Sequence, residues 1–277
     1  MNGVNMMINV SSISEYIYCP VKSYIKYTER HNIQTTAMIT GKLVHEIRRG
    51  FEELIKRNLW SIDEKMDVIN IFETLFEDVP EFVESKTDSY QSASLINQDT
   101  KETIYRDLKD DLELESWFMA LKTHKILKKT RKSGADVLDL LFPPLLLEFS
   151  IEDPGLNLRG QLDRIEIIDG SYYPVEIKSG LPPAKGVWKS DALQIAAYAI
   201  LMEDEFNREV PVGFVDYVGA CQRRPVLVNT KLREELLKVL EDMTAMLRDG
   251  NIPELRQNPK KCAKCDCADL CDYSSAS

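Results

Sequence analysis

The chain has 277 residues, of which 44% are hydrophobic and 29% charged, and its formal net charge is −10. These values are ordinary for a globular protein of one elaborated domain. They exclude a membrane protein built on apolar spans, because no stretch approaches about 20 apolar residues. The N-terminal residues lack the pattern of a signal peptide, so we expect a cytoplasmic protein without a membrane partner.

The first predicted helix covers residues 12–27. Ser12 and Glu15 are spaced as a capping box, in which each side chain bonds a backbone N–H of the first turn. Pro20 lies inside this segment and predicts a kink or a break near Cys19.

Three further helices are predicted before the middle of the chain, over residues 40–59, 66–76 and 101–132. Ser61 and Glu64 repeat the capping-box spacing ahead of the second of them. The third ends in a stretch without acidic residues: Lys122, Lys125, Lys128, Lys129, Arg131 and Lys132. This patch is either an ordinary solvated helix face or a track for DNA phosphates.

The second half of the chain alternates strands with helices. β-Branched and aromatic residues predict strands, and apolar residues at helical spacing predict helices. The strands are expected at 145–151, 158–168, 172–177, 210–219 and 225–228, and the helices at 190–206 and 231–248. The sequence therefore predicts a mixed α/β fold with a small sheet.

A hairpin is predicted around Asp169–Gly170, a dipeptide typical of two-residue turns. If it forms such a turn, Ile168 pairs with Ser171, and counting outward places Asp163 opposite Glu176. A bulge would shift this register by one residue.

Lys178 shares the face of Glu176, because side chains alternate along a strand. Two adjacent carboxylates repel each other unless a cation lies between them, and Mg²⁺ or Mn²⁺ prefers such oxygen ligands. The ammonium group could orient an attacking water or stabilise negative charge on a phosphate. An exposed hairpin with a surface Glu–Lys pair is the alternative.

Three polar residues outside the hairpin are candidates for the same site. His45 on the second helix could be a further metal ligand or an ordinary packed histidine. Gln194 and Tyr198 are four residues apart and share one helix face, where they could contact DNA or simply face solvent.

These residues together resemble the RecB-like branch of the PD-(D/E)xK nucleases, which implies a restriction-endonuclease-like sheet flanked by helices. The matching motifs are His45, Gly160-Gln-Leu-Asp163, Glu176-Ile-Lys178 and Gln194-x-x-x-Tyr198. The resemblance implies that the metal is held by His45, Asp163, Glu176 and the carbonyl of Ile177. It also implies that Asp163, Glu176 and Lys178 are catalytic and that Gln194 and Tyr198 bind DNA. Glu148 is either an additional carboxylate or a surface residue.

Four of the six cysteines are crowded near the C-terminus: Cys262, Cys265, Cys267 and Cys271. In a reducing compartment such a group indicates a metal site before it indicates disulfides. A site of four thiolates could be zinc bound by these four, or a cluster of three of them completed by Cys19.

The cysteine pattern resembles the iron–sulfur nucleases, among them the Cas-four family of CRISPR-associated exonucleases and AddB-type helicase–nucleases. It implies a [4Fe–4S] cluster held by Cys19, Cys262, Cys265 and Cys271, with Cys267 as the competitor for the fourth position. We then expect one nuclease domain over 1–277, with a helical insertion at 61–135 and a cluster-binding tail at 251–277 paired with Cys19.

The stand-alone size of the chain and the lack of a GxxxxGK[ST] motif favour the Cas-four likeness over a fused helicase motor. That likeness implies a Mg²⁺- or Mn²⁺-dependent nuclease that trims single-stranded DNA or overhangs and works with the CRISPR integrase. Two alternatives are a non-catalytic iron–sulfur DNA-binding subunit and a nuclease subunit of a DNA-repair helicase complex.

Overall fold

A computed structural model describes residues 7–28, 36–90, 96–132, 134–142, 144–252, 258–263 and 265–271. The N-terminal part comprises a two-residue strand and three helices: β1 (Ile8–Asn9), α1 (Val10–Tyr18), α2 (Pro20–Thr28) and α3 (Thr36–Leu59). The predicted break falls at Cys19, whose extended backbone (φ −162°, ψ 115°) separates α1 from α2.

Four more helices follow: α4 (Val68–Phe76), α5 (Val79–Ser89), α6 (Gln98–Thr130) and α7 (Ala135–Leu141). Their apolar faces share one hydrophobic core with α3, and Val218 from the sheet region joins it. The predicted insertion at 61–135 therefore shares a hydrophobic core with α3, and its status as an insertion stays a prediction. The lysines of the basic patch are exposed on α6 or directly after it, in agreement with either interpretation of that patch.

The rest of the chain carries the remaining elements: β2 (Leu145–Asp153), β3 (Leu158–Ile168), β4 (Ser171–Lys178), α8 (Lys189–Phe206), β5 (Val212–Tyr217), β6 (Gln222–Leu227), α9 (Thr230–Asp249) and the short α10 (Pro259–Cys262). The sheet order is β1-β3-β4-β5-β6, with β2 also paired to β3. β1–β3 and β4–β5 are parallel and the other pairs antiparallel, so the predicted small mixed sheet is confirmed.

A second hydrophobic core joins this sheet to α1, α8 and α9. The centre of α8 is buried on all sides, which explains its run of small residues, Ala196, Ala197 and Ala199. Within the described residues, no helix is both long and apolar enough to cross a membrane.

Both predicted capping boxes are wrong. The first helix begins at Val10 because the preceding residues pair with β3 as β1, and Ser12 is buried inside the helix. The helix after residue 60 begins only at Val68, where the Asp67 carboxylate accepts a hydrogen bond from the Asn70 N–H (2.9 Å).

Candidate metal and nucleic-acid site

The predicted hairpin register is confirmed. Ile168 pairs with Ser171, and the ladder continues without a bulge to Arg164 and Val175. Asp169 and Gly170 both have positive φ (50° and 75°), as a type I′ turn requires. Asp163 and Glu176 are the next residues outward on the two strands, so they lie opposite each other.

The backbone pairing of β3 with β4 stops before Asp163, whose side chain takes the place of a backbone partner. The carboxylate Oδ2 accepts a hydrogen bond from the Ile177 N–H at 2.8 Å. On the other edge of β3, Leu147 pairs with Arg164 and Phe149 with Leu162, which places Glu148 opposite Asp163.

Glu148 has a left-handed backbone (φ 50°), which is uncommon for a residue with a side chain. Its carboxylate is bound by Arg49 of α3 at 2.8 Å, and Gln161 Nε2 donates to its carbonyl at 3.3 Å. Contacts to both the side chain and the backbone carbonyl therefore stabilise the left-handed conformation of Glu148, which lies next to Asp163. Its role as a metal ligand stays a prediction.

Lys178 joins the hairpin to α8. Its Nζ donates to Glu176 Oε1 at 2.9 Å and to Gln194 Oε1 at 2.6 Å. Gln194 is only 2% exposed, so its amide fixes the lysine rather than facing solvent. The DNA-binding role expected for Gln194 remains a prediction.

His45 of α3 reaches the same site from the helical layer. Its Nδ1 lies 3.6 Å from Asp163 Oδ1, and its side chain is 37% exposed. Burial lowers the pKa of this imidazole, which favours the neutral form that a metal ligand needs.

The carboxylates of Asp163 and Glu176 are buried close to each other, which disfavours two negative charges. Burial raises the pKa of Glu176 to about 7, with attraction from Lys178 and repulsion from Asp163 acting in opposite directions. Burial also raises the pKa of Asp163, against the lowering effects of the Ile177 N–H and Lys178. A bound divalent cation would relieve this repulsion.

Lys178 remains protonated in this environment. Burial lowers the pKa of its ammonium group, but attraction to Glu176 and their hydrogen bond outweigh burial, and the pKa is raised overall. The group is therefore a positively charged hydrogen-bond donor to Glu176 and Gln194.

Tyr198, one helical turn after Gln194, lies under the strand that carries Asp163. Its hydroxyl donates to the Gln161 carbonyl at 2.9 Å, and the side chain is 4% exposed. A Cβ on Gly160 would lie 2.7 Å from Tyr198 Cε1 and 2.9 Å from Val10 Cγ2. The glycine of the GQLD motif is thus required by this close packing.

We expect Gly160→Ala to lower the free energy of unfolding by about 1–3 kcal/mol, since neither neighbour can move freely in the core. Urea denaturation measures this change. Gly41→Ala is the matched control, because a Cβ there meets no atom within 4 Å. Equal stability of Gly160→Ala and the unsubstituted protein would contradict the close-packing explanation.

A cleft of about 1030 Å³ lies between α3 and strands β2 and β3. His45, Asp163, Glu176 and Tyr198 line it, together with three basic residues that the sequence reasoning did not single out: Lys42, Arg49 and Arg159. Four further carboxylates also line it: Glu46, Glu148, Glu152 and Glu205. Lys42 and Arg49 are three residues before and four after His45, a spacing that on a predicted helix indicates one shared face.

Asp191 is a second residue that the sequence reasoning missed. It is 5% exposed at the start of α8, accepts a hydrogen bond from the Tyr217 hydroxyl at 2.6 Å, and contributes to raising the pKa of Lys178. No sequence signal identified it, because its proximity to Lys178 depends on how α8 packs against the sheet.

The two ends of the chain meet at the cysteine region. The Tyr18 hydroxyl donates to the Lys261 carbonyl and the Lys261 ammonium to the Tyr18 carbonyl, both at 3.1 Å. Lys22 forms a 2.5 Å ion pair with Asp266, and Lys26 lies 3.5 Å from the same side chain. These contacts bring Cys19 into the neighbourhood of the C-terminal cysteines.

Cys267 is 1% exposed and forms a small hydrophobic cluster with Val21 and Ile25. Cys19, Cys265 and Cys271 pack against that cluster. Burial raises the pKa of the Cys267 thiol to about 11. Among the side chains that the structure describes, no three of Cys, His, Asp or Glu are close enough together to hold a metal ion, neither in this region nor around His45, Asp163 and Glu176. The choice between Cys19 and Cys267 as fourth ligand therefore stays a prediction.

Comparison with known proteins assigns the chain to a family. Residues 7–272 match the PD-(D/E)XK nuclease superfamily. The chain belongs to this superfamily. The matched range includes both the β3–β4 hairpin and the C-terminal cysteines.

The curated relatives are of two kinds. The chain is 29% identical over 127 residues to a CRISPR-associated exonuclease Cas4/endonuclease Cas1 fusion of Leptospira interrogans, which covers 44% of this chain and 24% of the fusion. It is 27% identical over 123 residues to a CRISPR-associated exonuclease Cas4 of Francisella tularensis subsp. novicida. This alignment covers 44% of this chain and 60% of that relative.

The other kind aligns along most of this chain. One subunit of an ATP-dependent helicase/deoxyribonuclease of Clostridium acetobutylicum is 25% identical over 283 residues, covering 90% of this chain and 23% of that relative. The chain thus spans about a quarter of the length of several of these relatives. The similarity to Cas4 nucleases agrees with the expected RecB-like, Cas-four-like character.

Proposed function

We propose that this chain is a Mg²⁺- or Mn²⁺-dependent deoxyribonuclease that trims single-stranded DNA or overhangs. The observation that carries the proposal is the convergence of His45, Asp163, Glu176 and Lys178, of which the first three line a cleft of mixed acidic and basic residues. Superfamily membership supports the same chemistry.

The residues fit a divalent cation by their chemistry. Asp163 and Glu176 offer opposed carboxylates, His45 offers a neutral imidazole, and the Ile177 carbonyl lies between Glu176 and Lys178 on β4. When bound there, Mg²⁺ or Mn²⁺ would supply a water of lowered pKa and would polarise the phosphodiester. The role proposed for Lys178 is to orient the attacking water and to stabilise the charge that develops on the phosphate.

The raised pKa of Glu176 predicts a pH-dependent metal affinity. Below about pH 7 the Glu176–Asp163 pair holds a proton that the metal must displace, so we expect affinity for Mn²⁺ to fall about tenfold per pH unit below 7 and to level off above it. Electron paramagnetic resonance of free Mn²⁺ at pH 6, 7 and 8 measures this. Glu176→Gln is expected to bind weakly with a flatter profile, and a flat profile in the unsubstituted protein would refute the prediction.

The cysteine region is proposed to hold a [4Fe–4S] cluster through Cys19, Cys262, Cys265 and Cys271. Support comes from the meeting of the chain ends through Tyr18, Lys261 and Asp266, and from the thiols gathered around one small apolar cluster. Cys267, buried within that cluster, is proposed as a packing residue. The cluster would tie the cysteine tail to α1 and α2, whereas a zinc site of the four C-terminal cysteines would leave Cys19 out.

A role in CRISPR spacer acquisition, with the CRISPR integrase as partner, is the biological setting that we propose. It is supported by the similarity to Cas4 nucleases, of which some are fused to a Cas1 endonuclease.

The test is anaerobic cleavage of end-labelled single-stranded and overhang DNA, with Mn²⁺ or with EDTA. We expect degradation only with metal, and none by Asp163→Asn. Binding of DNA without cleavage by the unsubstituted protein would instead favour a non-catalytic iron–sulfur subunit.

A second candidate function is a nuclease subunit in a DNA-repair helicase complex. The alignment over 90% of this chain with part of a helicase/deoxyribonuclease favours it. Purification from the native host distinguishes the two settings, since a repair nuclease would be recovered with a motor ATPase and a spacer-trimming nuclease with the integrase.

A further inference from the structure

The segment that joins Lys178 to α8 exposes two large apolar side chains. Trp188 is 52% exposed and Leu181 is 72% exposed. The segment starts directly after the catalytic lysine of β4, and Trp188 is the N-cap residue of the helix that carries Gln194. Neither exposed side chain is accounted for by the metal chemistry of the site.

This segment is held by several hydrogen bonds. The indole Nε1 of Trp188 donates to the Leu181 carbonyl at 2.9 Å, and the Trp188 carbonyl accepts from the Ala192 N–H at 3.0 Å. From β6, Arg224 Nη1 donates to the carbonyls of Pro183 (2.7 Å) and Gly186 (2.6 Å). The ring of Trp188 is thus oriented before any ligand arrives, and its only polar group is already satisfied.

A short chain of contacts connects Trp188 to the catalytic lysine. This link runs through the backbone and not through the ring: the backbone N–H of Trp188 donates to the Tyr217 hydroxyl at 3.3 Å, and that hydroxyl donates to Asp191 at 2.6 Å. Asp191 in turn acts electrostatically on Lys178. Along α8, Trp188 precedes Gln194 by six residues, or about 9 Å of helix. That distance is about the span of one to two nucleotides of an extended strand.

We propose that Trp188 is a stacking platform for an unpaired base of the DNA strand that runs past Lys178. The proposal rests on the nuclease function proposed above and specifies how the same site would select its substrate. Every base has an apolar face that can stack on an aromatic ring, whereas bases inside a duplex already stack on each other. An oriented indole on the segment between Lys178 and Gln194 would therefore favour a single-stranded substrate without reading its sequence.

The small size of the patch favours a base over a protein partner. A stable protein interface buries about 800 Å² on each side, far more than one indole and one leucine expose.

The test compares the affinities of two DNA strands for the protein and its Trp188 variants. EDTA is present, so the strands stay intact and the result does not depend on cleavage. Fluorescence anisotropy compares oligothymidylate with a strand of the same length made only of abasic sites. We expect Trp188→Ala to weaken binding of oligothymidylate about 5- to 100-fold and binding of the abasic strand less than twofold. Trp188→Phe should retain most of the affinity.

Trp60→Ala is the matched control, because Trp60 is 62% exposed at the far end of α3, about 21 Å of helix beyond His45. It should leave the binding of both strands unchanged. Trp188→Leu replaces the alanine variant if the latter does not fold.

Equal weakening of both strands by Trp188→Ala, or no weakening of either, would overturn the stacking proposal. Absence of cleavage in Mn²⁺ together with the expected binding results would overturn only the nuclease function. The two proposals can therefore fail separately.

Discussion

Lys178→Ala is expected to lower the rate of DNA cleavage by about 10²- to 10³-fold while leaving the protein folded. The magnitude is that of removing one oriented donor from a site where negative charge develops. The lysine is fixed by Glu176 and Gln194, so its loss removes an oriented charge that solvent cannot replace. Single-turnover cleavage of end-labelled single-stranded DNA in Mn²⁺, with unfolding followed in parallel, measures both effects.

Lys56→Ala is the control for the loss of a partly buried ion pair. Lys56 lies 2.6 Å from Glu52, and the two side chains are 35% and 18% exposed, against 26% and 10% for Lys178 and Glu176. It lies eleven residues after His45, about 16 Å along α3. Cleavage should be normal in this variant. If Lys178→Ala cut DNA at the normal rate, the lysine would be a structural partner of Glu176 and not a catalytic group.

The hairpin shows why part of the site could be predicted from sequence. A two-residue turn at Asp169–Gly170 fixes the pairing of Ile168 with Ser171, and the alternation of side chains then places Asp163 and Glu176 opposite each other. This reasoning needs only local geometry. His45 could be assigned to the site only by resemblance, because its approach depends on the packing of α3 against the sheet.

The residues that sequence reasoning missed depend on contacts between distant parts of the chain. Arg49 binds Glu148 across 99 positions, and Asp191 reaches Tyr217 of β5 across 26. The same cause explains the wrong start of the first helix. Ile8–Asn9 is too short to have a recognisable pattern, yet its pairing with β3, 150 residues later, sets the beginning of α1.

Removal of a cluster ligand is expected to affect both the iron content and the solubility of the protein. We expect Cys19→Ala, purified anaerobically, to lose iron and solubility together, whereas Cys267→Ala keeps its iron. Tyr18 and Lys261 are 243 positions apart, and bringing ends so distant together costs about 5 kcal/mol of chain entropy. The contacts of Lys22 and Lys261 are exposed or only partly buried, and each contact of this kind contributes little to stability. Bonds between the cluster and its thiolates would therefore supply most of the free energy that holds the two chain ends together.

Iron content, visible absorption and the soluble fraction are measured for each variant. Cys221→Ala is the control, because Cys221 is exposed at the turn between β5 and β6, away from the tail. Full iron in Cys19→Ala with loss of iron in Cys267→Ala would make Cys267 the fourth ligand. The tail would then hold the cluster alone, and the closure of the domain would depend on the Lys22–Asp266 and Tyr18–Lys261 contacts. A colourless protein that contains zinc would refute the cluster itself. Because Lys178 and the cysteines lie in different parts of the fold, cleavage by a zinc-containing protein would leave the nuclease proposal standing.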